Sequence, residues 1–408
     1  MAEVNVRWGG VGRQSSVFSH FDASAGLHGI PVPGRQVPSD SRRKGGGLAR
    51  VLRQVLLLAL MLTFPTGVCK AAEAKSVETR QFVALTNFSS FVRETVAGNR
   101  VFTSPWVKFE RPWNELVVSW NAACPSGSGL KVEVRARGDA GTTPFLTYAW
   151  WAEQTNRYCR QSVPGQSNAL AEVKTDILVC HHPMREAQVR LTLQPGDTEA
   201  QPALKFLGLS GLNSRQAPAS RPHNRVVWGK SLEVPERSQV GHAGASGWCS
   251  PTSVAMVLAY WGRQLQRSEL NPSVPEVARG VYDPCLPGTG NWPFNVAYAG
   301  HFEGLRAYAT RLEGMREVED WVAAGVPVVA SVSFDFLNGH ALDEGTGHLI
   351  VVVGFTSDGQ VVINDPWPNP RKGSKHRQVF SRQSVEKAWN RSHRTVYLIY
   401  PEGWSVPR

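Results

Sequence analysis

The sequence predicts an α+β domain preceded by an all-β, sandwich-like domain. Three observations carry that expectation. Apolar residues alternate with period two through much of residues 76–212, a Pro/Ser/Ala-rich stretch interrupts the chain at 213–222, and 223–404 combines one long helical pattern with strands paired across turn signals. At 408 residues the chain is long enough for two domains and a leader.

Residues 1–40 are rich in Gly, Ser, Pro and Arg without a sustained period, and read as a disordered leader or as sequence upstream of the true start. Residues 41–74 read as a signal peptide. Arg42, Arg43, Lys44, Arg50 and Arg53 precede the apolar run 55–64 (VLLLALMLTF), which is short for a bilayer span, and Ala72-Glu73-Ala74 offers a small-residue cleavage site. Thr66-Gly67-Val68-Cys69 matches a lipoprotein box poorly because Val68 is bulky, so a lipid anchor at Cys69 is the minor alternative. The expectation is an exported chain, secreted, periplasmic or on the cell surface, with no stable membrane span once the leader is removed.

Of the net charge of +11, nine Lys/Arg against four Asp/Glu lie before residue 75, which leaves +6 without basic runs. No nucleic-acid partner is expected from such a surface. Export permits disulfides, and Cys124, Cys159, Cys180, Cys249 and Cys285 follow the leader. Five is odd, so at least one thiol stays free. If that is Cys249, the other four form up to two bridges, a pair among Cys124, Cys159 and Cys180 being plausible with the connectivity open.

In 76–212, Val132, Val134 and Ala136 alternate with Lys131, Glu133, Arg135 and Arg137, and Val189, Leu191 and Leu193 with Arg190, Thr192 and Gln194. Gly, Pro, Asn and Asp clusters separate the runs, the pattern of short antiparallel strands in a sandwich. Trp106, Trp113, Trp120, Trp150 and Trp151 have the chemistry to stack on sugar rings, so cell-wall or glycan contact is a candidate role, although most such residues pack cores or sheet faces. His181 and His182 are adjacent rather than at metal-ligand spacing.

In 223–404, the stretch 239–261 (QVGHAGASGWCSPTSVAMVLAYW) places Cys249 at a helix start. Val254, Val257, Leu258 and Trp261 recur at helical spacing, Pro251 suits the first turn, Thr252 and Ser253 suit a cap, and Gly262 suits the stop. Unpaired N–H groups and the positive end of the helix dipole favour the thiolate there. A loop-rich part with Pro272, Pro275, Pro284 and Pro287 follows, then a helix over 313–324 and a strand over 326–334. His348 opens the strand 349–355, Ser357-Asp358-Gly359 signals a turn, and the return strand ends at Asp365. His348 and Asp365 are thus at the same end of one hairpin, where a carboxylate reaches and orients an imidazole. Cys, His and Asp in that chain order form a candidate nucleophile, base and orienting acid. Gln239, on the loop entering the helix, is placed to donate to an oxyanion beside the Cys249 N–H. Trp248, Trp292, Gly345, Gly347 and Trp367 are candidates for lining the substrate cleft.

Together these residues resemble the papain-like cysteine peptidases of the bacteriocin-leader-processing type, family thirty-nine of the cysteine peptidases, in its free-standing branch. The likeness covers roughly 226–400 and rests on VPERSQ ending at Gln239, WCSPTSVAMVLAYWG, GTGHLIVVVGF and INDPW. It implies a papain-like fold for 223–404 with Cys249 as nucleophile, His348 as base, Asp365 as orienting carboxylate and Gln239 as oxyanion donor. It also implies acyl transfer on a peptide or protein substrate, without metal or cofactor. Ser250 stands where many relatives carry glycine. The expected activity is an exported cysteine peptidase. A cell-wall amidase or transamidase using the same residues is the first alternative, and a catalytically inactive surface-binding protein the second.

Overall fold

The computed structural model describes residues 78–407 apart from 164, 198, 199 and 369–374. The expected leader, signal peptide and Cys69 anchor lie outside the described residues. Residues 76–408 belong to one compact unit, so the two halves are described together.

The first half is all β. Its strands run in the order Arg80–Leu85, Ala203–Leu212, Val107–Ala123, Ile177–Gln194, Gly129–Gly138, Leu146–Trp151 and Gln161–Ser162, antiparallel throughout, with the hairpin Val92–Val96/Asn99–Thr103 attached to Ile177–Gln194. The sequence predicts a sandwich-like domain of antiparallel strands, and here every described strand joins one hydrogen-bonded sheet. The reason is two long strands of 17 and 18 residues, Val107–Ala123 and Ile177–Gln194, whose mutual register shifts twice. Such bulges bend a strand, so one strand serves two parts of a sheet. Val132, Val134 and Ala136 are fully buried, as the alternation requires. Trp113, Trp120 and Trp151 are core residues, while Trp106 and Trp150 lie half-buried under Arg137 and Lys131.

The second half is a strand-rich α+β domain. Its helices are α1 (Cys249–Leu265), α2 (Val274–Val281), α3 (Trp292–His301), α4 (Met315–Ala323), α5 (Phe334–Leu337) and α6 (Arg382–Asn390). The sheet runs Leu305–Arg311, Thr395–Pro401, Val328–Ser333, Gly347–Phe355, Val361–Asn364 and Arg377–Phe380, all antiparallel. Helix α1 is buried on every side from Ser250 to Gly262, as expected of a central helix apolar all round. Its polar groups find sheet partners: Ser253 Oγ donates to Leu349 O at 3.2 Å and Trp261 Nε1 to Ile399 O at 2.7 Å. Three local expectations differ. Gly262 does not stop the helix, which runs on to Gln266 in the left-handed region (φ 55°); a Cβ at Gly262 would sit 2.9 Å from Arg267 O, so the glycine is there for close packing. Thr252 and Ser253 do not cap it either, because both lie inside the first turns with buried side chains. The proline-bearing stretch, expected to be rich in loops, turns helical from Val274, since Pro275 occupies the first turn and Ser273 with Glu276 forms a capping box.

The halves are joined through polar groups that the strand Leu305–Arg311 leaves open. This strand is an edge, paired only with Thr395–Pro401. Asn121 donates to Ala307 O (2.7 Å) and accepts from Ala307 N (3.0 Å), and Ser119 Oγ accepts from Ala309 N (3.0 Å), so side chains of the β half satisfy its backbone. Gly300 permits this approach, because a Cβ there would overlap the Asn121 amide. Beside it Glu115 and Arg311, 2% and 1% exposed, form an ion pair at 3.0 Å. Trp120 and Trp151 meet Phe294 of α3 with ring centres 6.3 and 5.6 Å apart. The connecting stretch is tied down as well, Ala219 N donating to the buried Glu313 carboxylate at 2.9 Å and Pro222 O accepting from Arg316.

Candidate active site

Cys249 is the first residue of α1. The preceding loop holds Gly241 (φ +94°) and Gly244 (φ +75°), conformations that suit glycine, and a short 3-10 turn Ala245–Gly247 leads into the helix. No side chain caps α1 at Trp248, and Pro251 carries no N–H. The half-buried, free thiol of Cys249 therefore sits at the positive end of an uncapped helix.

His348 lies in the strand Gly347–Phe355, and Asp365 follows the strand Val361–Asn364. The register pairs Val351 with Asn364. Continued by one residue, it sets Asp365 across from Ile350 and on the diagonal from His348, on the same face. His348 Nε2 and Asp365 Oδ1 are 2.7 Å apart, and both side chains are buried. Asp365 Oδ1 also accepts from Trp367 N at 2.9 Å, which fixes the carboxylate. Phe334 meets the imidazole edge-on at 5.4 Å. Burial opposes charge on this ring, but the Asp365 carboxylate and a hydrogen bond to Cys249 outweigh it and raise the His348 pKa to about 10. With Nε2 taken by Asp365, Nδ1 is the atom left for Cys249. Asp365 thus holds the imidazole on one nitrogen, while Cys249 acts on the same ring.

Gln239 is buried in the loop entering α1. Its Nε2 donates to Ala245 O at 2.9 Å and Ser246 O at 3.2 Å, and its backbone N–H donates to Pro366 O at 3.0 Å. The residue thereby links the loop before Cys249 to the turn after Asp365, with its amide protons on carbonyls and Oε1 unpartnered among the described residues. Ser250 turns inward, its hydroxyl 3.0 Å from Tyr397 Oη with both groups buried, so it shapes the interior behind Cys249 and not the open side.

The remaining candidates separate. Trp248 is half-buried and stacks on His242 with ring centres 5.9 Å apart. Trp367 is 38% exposed and adjoins Asp365 through its backbone. Gly345 (φ +88°) has open space around it, and Gly347 begins the His348 strand. Trp292 lies elsewhere: it is 4% exposed, opens α3, donates its backbone N–H to Asp176 Oδ2 at 3.1 Å and faces the Arg311 guanidinium. It belongs to the contact between the halves.

The expected disulfides are not formed, since all five described cysteines are free. Cys124 and Cys180 are buried as apolar side chains in the β half, where burial raises both thiols, Cys180 to about 12. Cys159 and Cys285 are exposed. Among the described residues no cluster of His, Cys, Asp and Glu is placed to hold a metal ion, and no helix is long and apolar enough to cross a membrane. Sequence reading missed Tyr397 behind Ser250 and Thr289, whose hydroxyl donates to Gly247 O at 2.8 Å. Neither residue stands in a motif, and only the fold brings them to the nucleophile.

The model of the Peptidase C39-like family matches residues 231–397. The C-terminal domain is similar to that family. The Peptidase C39 N-terminal domain matches residues 85–211, so the two matches divide the chain as the fold does. Among solved structures, a chain from Bacillus anthracis described as a C39-like peptidase is 18% identical over 42% of this chain and 98% of its own, with a TM-score of 0.33. A structure of the Gt strain of infectious bursal disease virus is 11% identical over 38% of this chain and 36% of its own, with a TM-score of 0.19. No curated protein matches. The matched family is of the papain-like cysteine peptidase type.

Proposed function

We propose that the chain is an active, exported cysteine peptidase that cleaves peptide bonds through Cys249, His348 and Asp365, with Gln239 assisting. The reading is supported above all by one observation: the His348 ring is held by Asp365 on Nε2 while its pKa is raised to about 10 through that carboxylate and Cys249. That arrangement provides a charged imidazole beside the Cys249 thiol, placed to take and return its proton. The thiolate attacks the scissile carbonyl carbon, and the carbonyl electron pair moves to oxygen. Backbone N–H groups at the uncapped start of α1 stabilise the oxyanion, and Gln239 adds to this by exchanging its longer bond to Ser246 O for the oxyanion. His348 gives its proton to the leaving amine as the C–N bond breaks. It then takes a proton from water, which attacks the thioester and releases the acid and the thiol. Export rests on the leader sequence alone.

The test is Cys249→Ala in the leader-free chain, assayed by mass spectrometry on leader-type and general peptide libraries. Cleavage is expected from the parent and a loss of at least about a thousandfold from the variant. Equal cleavage by both would remove Cys249 from the mechanism. Amine incorporation in place of hydrolysis would identify a transamidase, release of cell-wall peptides an amidase, and a Cys249 no more reactive toward iodoacetamide than an ordinary thiol would favour the inactive binding protein.

A further inference from the structure

The β half reaches the nucleophile through a continuous buried polar path. Arg160, 3% exposed, donates to Arg279 O (2.8 Å) and Tyr282 O (3.1 Å) at the C-terminal end of α2, where a cation suits the open carbonyls. Two residues on, Ser162 N donates to Asp283 Oδ2 at 2.9 Å and Ser162 Oγ to the same oxygen at 2.5 Å. Ser162 Oγ in turn accepts from Asn291 Nδ2 at 2.9 Å. Asp283 and Asn291 bracket the loop 283–291. Asp283 Oδ1 accepts from Cys285 N inside it, and Asn291 Oδ1 accepts from Phe294 N at the start of α3. Asn295 Nδ2 holds Thr289 O and Asn291 O, each at 2.8 Å. From this loop the Thr289 hydroxyl donates to Gly247 O at 2.8 Å, two residues before Cys249. Ser162, Asp283, Thr289, Asn291 and Asn295 are all buried.

The far end of that path meets a segment with few other restraints. Residues 241–247 contain three glycines, a Cβ at any of the three would meet nothing within 4 Å, and α1 begins without a side-chain cap. Gln239 holds Ala245 O and Ser246 O from one side, and Thr289 holds Gly247 O from the other. A displacement of the order of 1 Å at a nucleophile costs roughly a hundredfold in rate. We propose that Ser162, acting through Asp283, Asn291 and Thr289, is a positioning residue that sets Cys249 against His348, so that the β half forms part of the catalytic apparatus. This rests on Cys249 being the nucleophile of the proposed function.

The experiment measures the pH dependence of Cys249 alkylation by iodoacetamide in the full chain, read at the Cys249 peptide by mass spectrometry, since the other thiols also react. Ser162→Ala and Thr289→Val are each expected to move the midpoint upward by about one pH unit and to slow alkylation at neutral pH about tenfold. Thr289→Ser, which keeps the hydroxyl, should behave as the parent. A purely structural role would change the melting temperature and leave the midpoint in place. Thr289→Val removes no bond to the β half, so it carries the test where Ser162→Ala does not fold. A reactive parent Cys249 with unshifted midpoints in folded variants overturns this inference alone. An unreactive parent thiol overturns the peptidase reading and this inference with it.

Discussion

Two buried carboxylates of this molecule each face a histidine, and they behave differently. Glu115, between the halves, lies 3.0 Å from Arg311 and 3.2 Å from His393. Asp365 has His348 at 2.7 Å. At Glu115 burial raises the carboxyl, but His393 and Arg311 overcome it and hold the pKa at about 2. A guanidinium does not give up its proton in a protein, so Glu115 keeps a permanent cation beside it and acts as a staple. At Asp365 the cationic partner is an imidazole, whose proton can leave, and a thiol stands on its other side. Similar groups give a structural pair in one place and a candidate acid–base relay in the other. What differs is that Glu115 also has a permanent cation as partner, whereas the imidazole on Asp365 adjoins a third, reactive group.

The sharpest way to break this comparison is to remove each carboxylate. Asp365→Ala should lower kcat/KM by about 10²–10⁴ on any peptide the parent cleaves, because the imidazole loses its orienting acid and the source of its raised pKa. Unchanged kcat/KM would put Asp365 among merely structural residues. Glu115→Ala strands the Arg311 charge in the interior and should cost about 3–5 kcal/mol in a urea titration, with kcat/KM per folded molecule unchanged. A loss below about 0.5 kcal/mol would show the staple to be dispensable.

The two sites also differ in the side from which pH attacks them. Glu115 is held below its ordinary 4.5, so its contribution to stability is complete above 4.5 and is lost as pH falls toward 2. His348 is held above its ordinary 6.5, so its contribution is complete below 6.5 and is lost as pH rises through about 10. Melting temperature against pH should therefore lose its acid slope in Glu115→Gln and its alkaline slope in His348→Gln, and the opposite pattern would reverse the assignment. The smallest effect is expected at Asp176. Burial raises its pKa to about 6, against the Trp292 N–H and Arg311, which pull it down. Its ionised form is a burden above pH 6, and Asp176→Asn keeps an acceptor for Trp292 N. A gain of about 1 kcal/mol or less at pH 8, vanishing at pH 4, is expected from urea titrations, and a loss at pH 8 would contradict the sign.

The hairpin geometry was legible because it is local. A strand opened by His348, a Ser357-Asp358-Gly359 turn and a return strand ending at Asp365 fix which residues share an end, and period-two alternation does the rest. The helix around Cys249 was legible for the same reason, since apolar residues at helical spacing need no distant partner. Its ends were not. Gly262 and Thr252 carry the residue types of a stop and a cap, but close packing against Arg267 and burial in the first turns decided their roles. The contact between the halves could not be read at all. Asn121 and Ala307, or Ser162 and Asn291, are ordinary residues with no periodic relation, brought together only when both sheets exist. The unbroken sheet of the first half was hidden likewise, because bulges in two long strands leave the alternation almost intact.

The side-chain bonds of Asn121 and Ser119 to the strand Leu305–Arg311 have a practical corollary. A truncated chain starting near residue 223 would display a bare row of amides and carbonyls along that strand, a template on which a second copy can add its own. Recombinant production of the peptidase half alone should therefore yield dimers or aggregates through strand addition, and restoring solubility calls for co-expression of the missing half more than for milder buffers.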